Sequence, residues 1–308
     1  MQKRVYTVTI RKGRGAKPVS IRERVDMNMK RIIGLCMAAM LLLSLTGCGA
    51  KAEEKDRLAQ IQEKGYIEMA TEPYWAPNEF IDSSKRGDEQ YVGMDIEIGK
   101  AIAKKLGVEL KIVPLEFSAV LSGVAEGKYD MAISALAYSE ERAAAMNMSI
   151  GYNINQDEGN GYGFLVRAGE EDKWNSAEAA REAVIVTQSG SVQEGFYKEF
   201  IGECKELKLV SSMTDGYLAV AEGKADICIT DCTSGKLYAD ANGGLAIPEF
   251  RFDVNIDNGA RVACPPEGTD SLMEVINEVL DELNKSGQID AWKAEYTAYA
   301  KTLGIETN

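Results

Sequence analysis

The chain has 308 residues, enough for two domains of ordinary size, and its 45% hydrophobic content is that of a globular protein. Its formal net charge is −13, and the residues after position 48 alone hold 25 basic and 46 acidic side chains, a net of −21, which argues against nucleic-acid binding. It contains no histidine, so Ser-His-Asp and Cys-His catalysis and histidine-ligated metal sites are excluded.

A basic pair followed by an apolar run predicts an export signal near the start of the chain. Lys30 and Arg31 precede fourteen apolar or small residues, 32–45. That run is too short to span a membrane and has the length typical of a signal peptide. The next feature, the tetrapeptide Leu-Thr-Gly-Cys at 45–48, resembles the lipobox of bacterial lipoproteins, whose cysteine carries the lipid. The alternative is a buried helix that ends at an unrelated cysteine, Cys48.

This pattern sets the expected organisation of the N-terminal part. We expect residues 1–48 to be a signal peptide with a lipobox, lipidated at its cysteine, and 49–55 to be a charged tether. Residues 1–26 put a long basic stretch before the apolar run, which does not suit a signal sequence. They point to a start codon that lies too early, with Met27 or Met29 as the first residue. Since no other apolar run approaches membrane-spanning length, the body is expected to be soluble and tethered.

Beyond the tether, strands and helices are predicted to alternate. The apolar periodicity and the glycine stops predict helices and strands in this order. They are helix 57–65, strand 66–70, helix 93–107, strand 108–114, helix 118–126, strand 130–134, helix 139–147, strand 184–187, helix 192–200, strand 208–210, helix 214–222, strand 226–230, helix 234–240, strand 261–264 and helix 271–284. Residues 81–90 are a polar insertion, and 157–163 are predicted to be a crossover. The alternation predicts an α/β fold with mostly parallel sheets.

One eleven-residue unit occurs twice. Residues 124–134 and 220–230 agree at seven of eleven positions, and the copies start 96 positions apart. Each copy reads as the end of a helix, a glycine (Gly127 or Gly223) suited to a positive φ, and a short apolar strand. A unit repeated once at this distance predicts two similar α/β lobes. Ligands of open α/β sheets bind beyond the carboxyl ends of strands, so a cleft between the lobes is expected.

Two charged residues follow the strands of the repeat. Arg142 lies just inside a helix that Ser139 caps, where a cation opposes the helix dipole. This position makes sense if its guanidinium faces an anion such as a carboxylate; the alternative is a solvated or glutamate-paired arginine. Asp231 follows the second strand, where it could bind an ammonium or simply cap a turn or helix.

Three further features lie in strand-to-helix loops. The turn 188–191, Gln-Ser-Gly-Ser, would present N–H groups to an anion or be an ordinary helix cap. Trp75 and Phe117 lie in two loops of the first lobe and could clamp a ligand side chain, or pack against the core. Glu72, at a strand end, could meet a cationic or amide group, or be solvated.

The segment from Gly65 to Tyr296 resembles the solute-binding proteins of bacterial polar amino-acid ABC importers, which have the type II periplasmic-binding-protein fold. The resemblance covers nearly the whole mature chain, in matching order and spacing. The matching stretches are 71–77 (TEPYWAP), 93–97 (GMDIE) with 101–107, 127–130 (GKYD) through 140–142 (EER), 189–191 (SGS), 223–226 (GKAD) through Asp231, and 276–277 through Gly287 and Trp292.

The resemblance implies a site for one amino acid between two lobes that close about a two-strand hinge. Lobe 1 would hold 56–154 and 259–308, and lobe 2 would hold 155–258. The implied ligand-binding residues are Glu72, Trp75, Phe117, Ala135, Ala137, Arg142, Gly190, Ser191, Gln193 and Asp231.

Each implied residue has a role by the same resemblance. Arg142 binds the α-carboxylate with the N–H groups of Ala137 and Ser191 and the Ser191 hydroxyl. Asp231 binds the α-ammonium with the Ala135 carbonyl. The two aromatic rings sandwich the side chain, with Glu72 and Gln193 at its far end. The chain departs from the family at Ala135 and Ala137, where hydroxyl-bearing residues are common, so the head group is expected to bind with fewer contacts.

The resulting interpretation is a non-enzymatic, lipid-anchored binding protein on the extracytoplasmic face of the membrane. It would deliver an amino acid to ABC permease and ATPase subunits as a monomer, with no cofactor, metal or nucleic acid. The aromatic rings with Glu72 favour arginine first and lysine or glutamine next. Two alternatives stay open: a dehydratase-like enzyme with Glu72 as general acid, and a binding subunit for a sensor. Cys228 and Cys232 are either a disulfide or two small buried residues.

Overall fold

The computed structural model describes residues 56–152, 161–254 and 259–305. Helices and strands alternate along most of these residues. The helices are α1 (Arg57–Lys64), α2 (Met94–Leu106), α3 (Phe117–Ala125), α4 (Glu140–Ala145), α5 (Ala177–Ala180), α6 (Val192–Phe196), α7 (Met213–Ala221), α8 (Cys232–Asn242), α9 (Asp270–Ser286) and α10 (Gln288–Thr302). The strands are β1 (Tyr66–Thr71), β2 (Phe80–Ile81), β3 (Tyr91–Val92), β4 (Glu109–Pro114), β5 (Met131–Ala137), β6 (Asn147–Met148), β7 (Tyr162–Arg167), β8 (Val184–Gln188), β9 (Glu206–Val210), β10 (Ile227–Asp231), β11 (Leu245–Ala246) and β12 (Ala260–Cys264).

The first five-stranded sheet has the order β4-β1-β5-β12-β6. Strand β1 pairs in parallel with β4 and β5, whereas β12 is antiparallel to β5 and β6, so only β12 is reversed. Side chains of β5 alternate between the two faces, as the pleat requires. Met131 and Ile133 join the apolar cluster that includes residues of α2 and α9, and Ala132 joins the cluster that includes residues of α3.

The second five-stranded sheet has the order β11-β7-β10-β8-β9. Strands β10, β8 and β9 are parallel, and β7 is antiparallel to both β10 and β11. Here too a single strand is reversed. Ile227 and Ile229 of β10 face one apolar cluster and Cys228 faces the other, so each sheet is covered on both faces. This arrangement confirms the prediction of an α/β fold with mostly parallel sheets.

The repeated unit forms the same structure in both sheets. Gly127 and Gly223 follow α3 and α7 with φ values of 73° and 72°, and their N–H groups donate to the carbonyls of Val124 and Val220. The strands that follow, β5 and β10, are each the third strand of their sheet. The sequence repeat therefore reflects two similar α/β lobes, as predicted.

The first sheet uses strands between residues 66 and 148 and at 260–264, and the second uses strands between 162 and 246. The predicted lobe boundaries, 154/155 and 258/259, fall at 153–160 and 255–258, which lie outside the described residues. The predicted hinge falls on these segments. The exact lobe boundaries stay a prediction.

Several regions differ from the sequence expectation. The predicted crossover at 157–163 contains the start of β7. This strand was not predicted, because Gly161 and Gly163 at its start indicated a loop. The polar insertion at 81–90 is bordered by a two-stranded ribbon of β2 and β3, and the predicted helix at 192–200 changes after Phe196 to a π-helical turn, Tyr197–Ile201. Helix α10 was not predicted, because only Ile289 and Ala300 of this helix are buried and its apolar periodicity is weak.

The predicted signal peptide, lipobox and tether, with Cys48, lie outside the described residues. Within the described residues no helix is long and apolar enough to cross a membrane. Cys228 and Cys232 are recorded as free thiols, which corrects the disulfide alternative. Both are fully buried, and burial raises the pKa of the Cys232 thiol to about 12.

Candidate functional site

The predicted site residues lie where the two sheets approach each other. Glu72 directly follows β1, and Gln188 is the last residue of β8 in the other sheet. The Gln188 Nε2 donates to Glu72 Oε1 at 2.8 Å. A second contact between the lobes joins Arg142 Nη2 to the Gly190 carbonyl at 3.0 Å. The carboxyl ends of strands in both lobes therefore line one site, as the topology predicts.

Arg142 is a buried cation in this site. It is 7% exposed, and its helix, α4, begins where the Ser139 hydroxyl accepts a hydrogen bond from the Arg142 N–H at 3.2 Å. Its guanidinium donates to the carbonyls of Ala137 and Gly190 and lies 5.4 Å from the centre of the Phe117 ring. It forms no ion pair with any described residue. Burial lowers the pKa of Arg142 to about 10, so it remains charged at neutral pH and suits an incoming anion.

Donor groups of the turn at 188–191 are already hydrogen-bonded, some within the turn and others to residues around it. Gly190 has a φ of 76°, and its N–H donates to Glu194 Oε2 at 2.7 Å. The N–H and hydroxyl of Ser191 both donate to the Gln188 carbonyl, and the hydroxyl caps α6. The turn therefore acts as an ordinary helix cap in this structure, which was the alternative to an anion site. Gln193, on the same helix, is also buried.

Asp231 ends β10 and caps α8. Its Oδ1 accepts hydrogen bonds from the N–H and the hydroxyl of Ser234, at 2.9 and 3.1 Å. Tyr162 of β7 is its register partner across the sheet. Burial raises the pKa of Asp231 and raises that of Tyr162 to about 12. Asp231 is therefore a helix cap at a strand end, in the position expected for an ammonium contact.

Glu72 has an unusual environment for an acidic residue. It is 4% exposed, and its N–H donates to the Ser134 hydroxyl at 2.9 Å. Burial raises the pKa of Glu72 to about 8, and the nearby carboxylates of Asp215 and Glu116 raise it further while the Gln188 amide opposes the shift. Glu72 therefore holds a proton over much of the neutral range.

The two aromatic residues belong to different apolar clusters. Phe117 opens α3 and is buried among first-lobe residues, whereas half-buried Trp75 packs against the second-lobe cluster around Met213 and Tyr217. No contact between the two rings is recorded within the described part of the chain. Their action as a side-chain clamp stays a prediction.

A polar network under the site was missed by sequence reasoning. Ala135 of β5 has a left-handed backbone with a φ of 46°, and its N–H donates to Asp95 Oδ2 at 2.8 Å. The Tyr152 hydroxyl donates to the same oxygen at 2.8 Å, and the Ser134 hydroxyl donates to Glu79 Oε1 at 3.1 Å. The sequence carried no clear signal for this network, because an acid such as Asp95 in the first turn of a helix is ordinarily explained by the helix dipole.

An open cavity of about 560 Å³ lies at the edge of the site beside Glu72. Glu116 and Asp215 add two carboxylates to it, one from each lobe. Its lining residues are Glu72, Pro73, Tyr74, Ile81, Tyr91, Pro114, Leu115, Glu116, Ser211, Ser212 and Asp215. The volume is in the range of small-molecule sites.

The fold is that of a two-lobe protein, and a buried guanidinium, Arg142, and a strand-end carboxylate, Asp231, lie at the carboxyl ends of strands of the two lobes. The family comparison agrees. Residues 67–299 match the model of the bacterial extracellular solute-binding proteins, family 3, and the chain belongs to that family.

Known relatives include binding proteins and an enzyme. The chain is 22% identical over 273 residues to the arginine-binding extracellular protein ArtP of Bacillus subtilis, covering 87% of this chain and 98% of the relative. An amino acid ABC transporter substrate-binding protein from Streptococcus pneumoniae, solved bound to L-arginine, has a TM-score of 0.68 and 28% identity and covers 79% of this chain and 98% of that one. Cyclohexadienyl dehydratase of Pseudomonas aeruginosa is 23% identical over 219 residues, or 70% of this chain and 78% of the relative. The fold is thus shared by binders and catalysts.

Proposed function

We propose that this protein captures a free amino acid between its lobes and delivers it to an ABC importer. The observation that carries the proposal is Arg142, a buried guanidinium whose described hydrogen-bond partners are neutral carbonyls. A buried cation without an anion is costly, and a ligand carboxylate would relieve that cost through a bidentate pair. The arginine-bound relatives support an amino acid as the source of that carboxylate.

The α-ammonium of the ligand would bind on the opposite side of the site. Asp231 uses one carboxylate oxygen to cap α8, and its other oxygen and the Ala135 carbonyl are the proposed partners of the ammonium. The charges of Arg142 and Asp231 then match a zwitterion. The turn 188–191 is proposed to add the Ser191 N–H and hydroxyl to the carboxylate once a ligand competes with the Gln188 carbonyl for them.

A cationic side chain is the proposed specificity. Past the head group the site is acidic, with Glu72, Glu116 and Asp215 around one cavity. A guanidinium would stack on Trp75 or Phe117 and pair with Glu72 after that carboxyl loses its proton. Glutamine is the competing ligand, because a protonated Glu72 and the amide of Gln188 could pair with a neutral amide without any ionisation.

A melting screen of the protein truncated at position 48 against all amino acids tests this proposal. Ligand at a hundredfold excess over its Kd stabilises the folded state by about 2.7 kcal/mol, which is readily measured. The protein is unfolded and refolded first, so that ligand carried through purification cannot mask binding. Absence of any shift after refolding would reject the proposed ligand class.

A dehydratase-like activity is the second candidate, favoured by one observation. Glu72 is a buried carboxyl whose pKa burial raises to about 8, and a general acid needs a pKa near the working pH. The binding proposal expects every ligand to be recovered chemically unchanged after prolonged incubation. Mass spectrometry of the released ligand decides between the two, since loss of water from it would show catalysis.

Attachment to the membrane is a separate proposal. The lipobox-like tetrapeptide ending at Cys48 supports lipidation there, and 49–55 would then be a short tether. A lipid anchor on the outer face of the membrane would hold the binding protein close to its permease, which raises the local concentration of the complex.

A further inference from the structure

Ala135 is the only non-glycine residue among those described that has a positive φ. A left-handed backbone strains an alanine, because its Cβ approaches the following carbonyl. Such a conformation persists only where the surroundings hold it, and it is frequent at functional sites. Here the holding contact is the hydrogen bond from the Ala135 N–H to Asp95 Oδ2, at 2.8 Å.

Asp95 is itself firmly fixed. It is fully buried in the first turn of α2, and its Oδ2 accepts from the Tyr152 hydroxyl as well as from Ala135. Its Oδ1 and Glu79 Oε2 are both buried, and neither has a hydrogen-bond partner among the described residues outside this carboxyl pair. Burial raises the pKa of both Glu79 and Asp95, so the two carboxyls share a proton.

We propose that Asp95 is a positioning residue for the ligand ammonium: it holds Ala135 in the left-handed conformation and thereby aims the Ala135 carbonyl into the cleft. This inference rests on the proposed function, because the ammonium contact of that carbonyl belongs to it. Asp95 does not touch the ligand. The hydrogen bond that the Ala135 N–H donates to Asp95 Oδ2 also polarises the peptide group of Ala135, which favours a cation in front of the carbonyl.

The test isolates the contribution of the α-ammonium to binding by comparing two ligands that differ only in that group. Binding of arginine is compared with binding of 5-guanidinopentanoate, which is arginine without its α-ammonium, by calorimetry on the wild type and on Asp95→Asn. The variant is expected to weaken arginine about fivefold or more, because the neutral amide oxygen of asparagine is a weaker acceptor for the Ala135 N–H than a carboxylate oxygen. It should weaken 5-guanidinopentanoate by less than about threefold, because that ligand never uses the Ala135 carbonyl.

Asp130→Asn is the matched control. Asp130 is a second buried carboxylate of the same lobe, but it pairs with Arg57 and Lys64 rather than with Ala135. This variant is expected to lower the melting temperature and to change the affinities for the two ligands by the same factor. This control measures how a loss of stability alone affects the two affinities.

Equal losses for the two ligands in Asp95→Asn would overturn the inference while leaving the proposed function intact. Failure of the wild type to bind any amino acid would overturn both. If it binds glutamine but not arginine, glutamine and its analogue without the α-ammonium are compared in the same way. If Asp95→Asn does not fold, Tyr152→Phe decides by the same ratio, because it removes one of the two donors that hold the Asp95 carboxylate. A selective loss for arginine of about twofold or more is then expected, and equal losses would again overturn the inference.

Discussion

Arg142 is the residue on which the head-group model depends. Arg142→Ala is expected to weaken any accepted amino acid by roughly 2–5 kcal/mol, because a buried carboxylate loses its charged partner. The unliganded variant should melt no lower than the wild type, since a desolvated, unpaired cation has been removed. Arg167→Ala is the control: its guanidinium pairs with Glu170 and Asp226, so it should lower stability without changing affinity.

Asp231 combines two roles that one substitution can separate. Asparagine caps a helix about as well as aspartate, so Asp231→Asn should keep α8 and the melting temperature. It should nevertheless lose affinity for amino acids, because it has no charge for the ammonium. Calorimetry and melting of the same sample give both results. Retained affinity would show that Asp231 is only a helix cap.

The raised pKa of Glu72 should make the affinity for cationic ligands depend on pH. With its folded pKa near 8, it is protonated below that pH, and a guanidinium must displace the proton to form an ion pair. Affinity for arginine should therefore rise by up to about tenfold per pH unit toward pH 8 and then level off. Glutamine, which needs no ionisation, should show no such rise. Glu72→Gln should remove the pH dependence and weaken arginine more than glutamine, which calorimetry at several pH values will show.

The same carboxyl affects stability in the opposite direction. Its pKa is higher in the folded protein than the ordinary value of 4.5, so the folded state binds more protons than the unfolded state between those two values. The contribution of Glu72 to the stability of the unliganded protein is then present at low pH and is lost as the pH rises through about 8. A Glu72→Gln protein should melt with less pH dependence across that window.

At the scale of elements, the β8–α6 turn makes a close approach to the other lobe. A Cβ on Gly190 would lie 3.3 Å from Leu121 Cδ1 and 3.4 Å from Ser118 Cα, both on α3, and the φ of 76° already disfavours a side chain. Gly190→Ala is expected to cost about 1–2 kcal/mol of stability and to weaken ligand binding by obstructing the closed arrangement. Melting and calorimetry measure both effects.

Gly195→Ala is the matched control for the turn. Gly195 lies inside α6, and a Cβ there would meet no atom within 4 Å. Alanine in a helix is more favourable than glycine by up to about 1 kcal/mol, so this variant should be neutral or slightly stabilising, with unchanged affinity. If both glycine variants have the same stability and ligand affinity, the close approach of Gly190 to α3 does not affect folding or binding.

At the scale of the whole molecule, the proposed anchor predicts where the protein is found. Cys48→Ala should release the protein from the membrane fraction or leave the precursor unprocessed, because no acyl chain can be attached. Fractionation with immunoblotting measures this. Normal processing and firm membrane attachment of the variant would reject lipidation at Cys48.

The two-lobe architecture and the alternation of helices and strands could be predicted from the sequence. The repeat at 124–134 and 220–230 predicted two similar α/β lobes, and the alternation of elements predicted mostly parallel sheets. These signals are local, since apolar periodicity and glycine stops act within one helix or strand. Elements with little buried surface, such as α10, escaped prediction because their apolar pattern is weak.

The chemistry of the site depends on contacts between residues that are far apart in the sequence. Glu72 meets Gln188 across 116 positions, and Ala135 meets Asp95 across 40. Neither contact leaves a pattern in the local sequence. The protonation of Glu72 and the unpaired charge of Arg142 follow from burial, which depends on how distant segments exclude water from each other. The strained backbone of Ala135 is held by its hydrogen bond to Asp95.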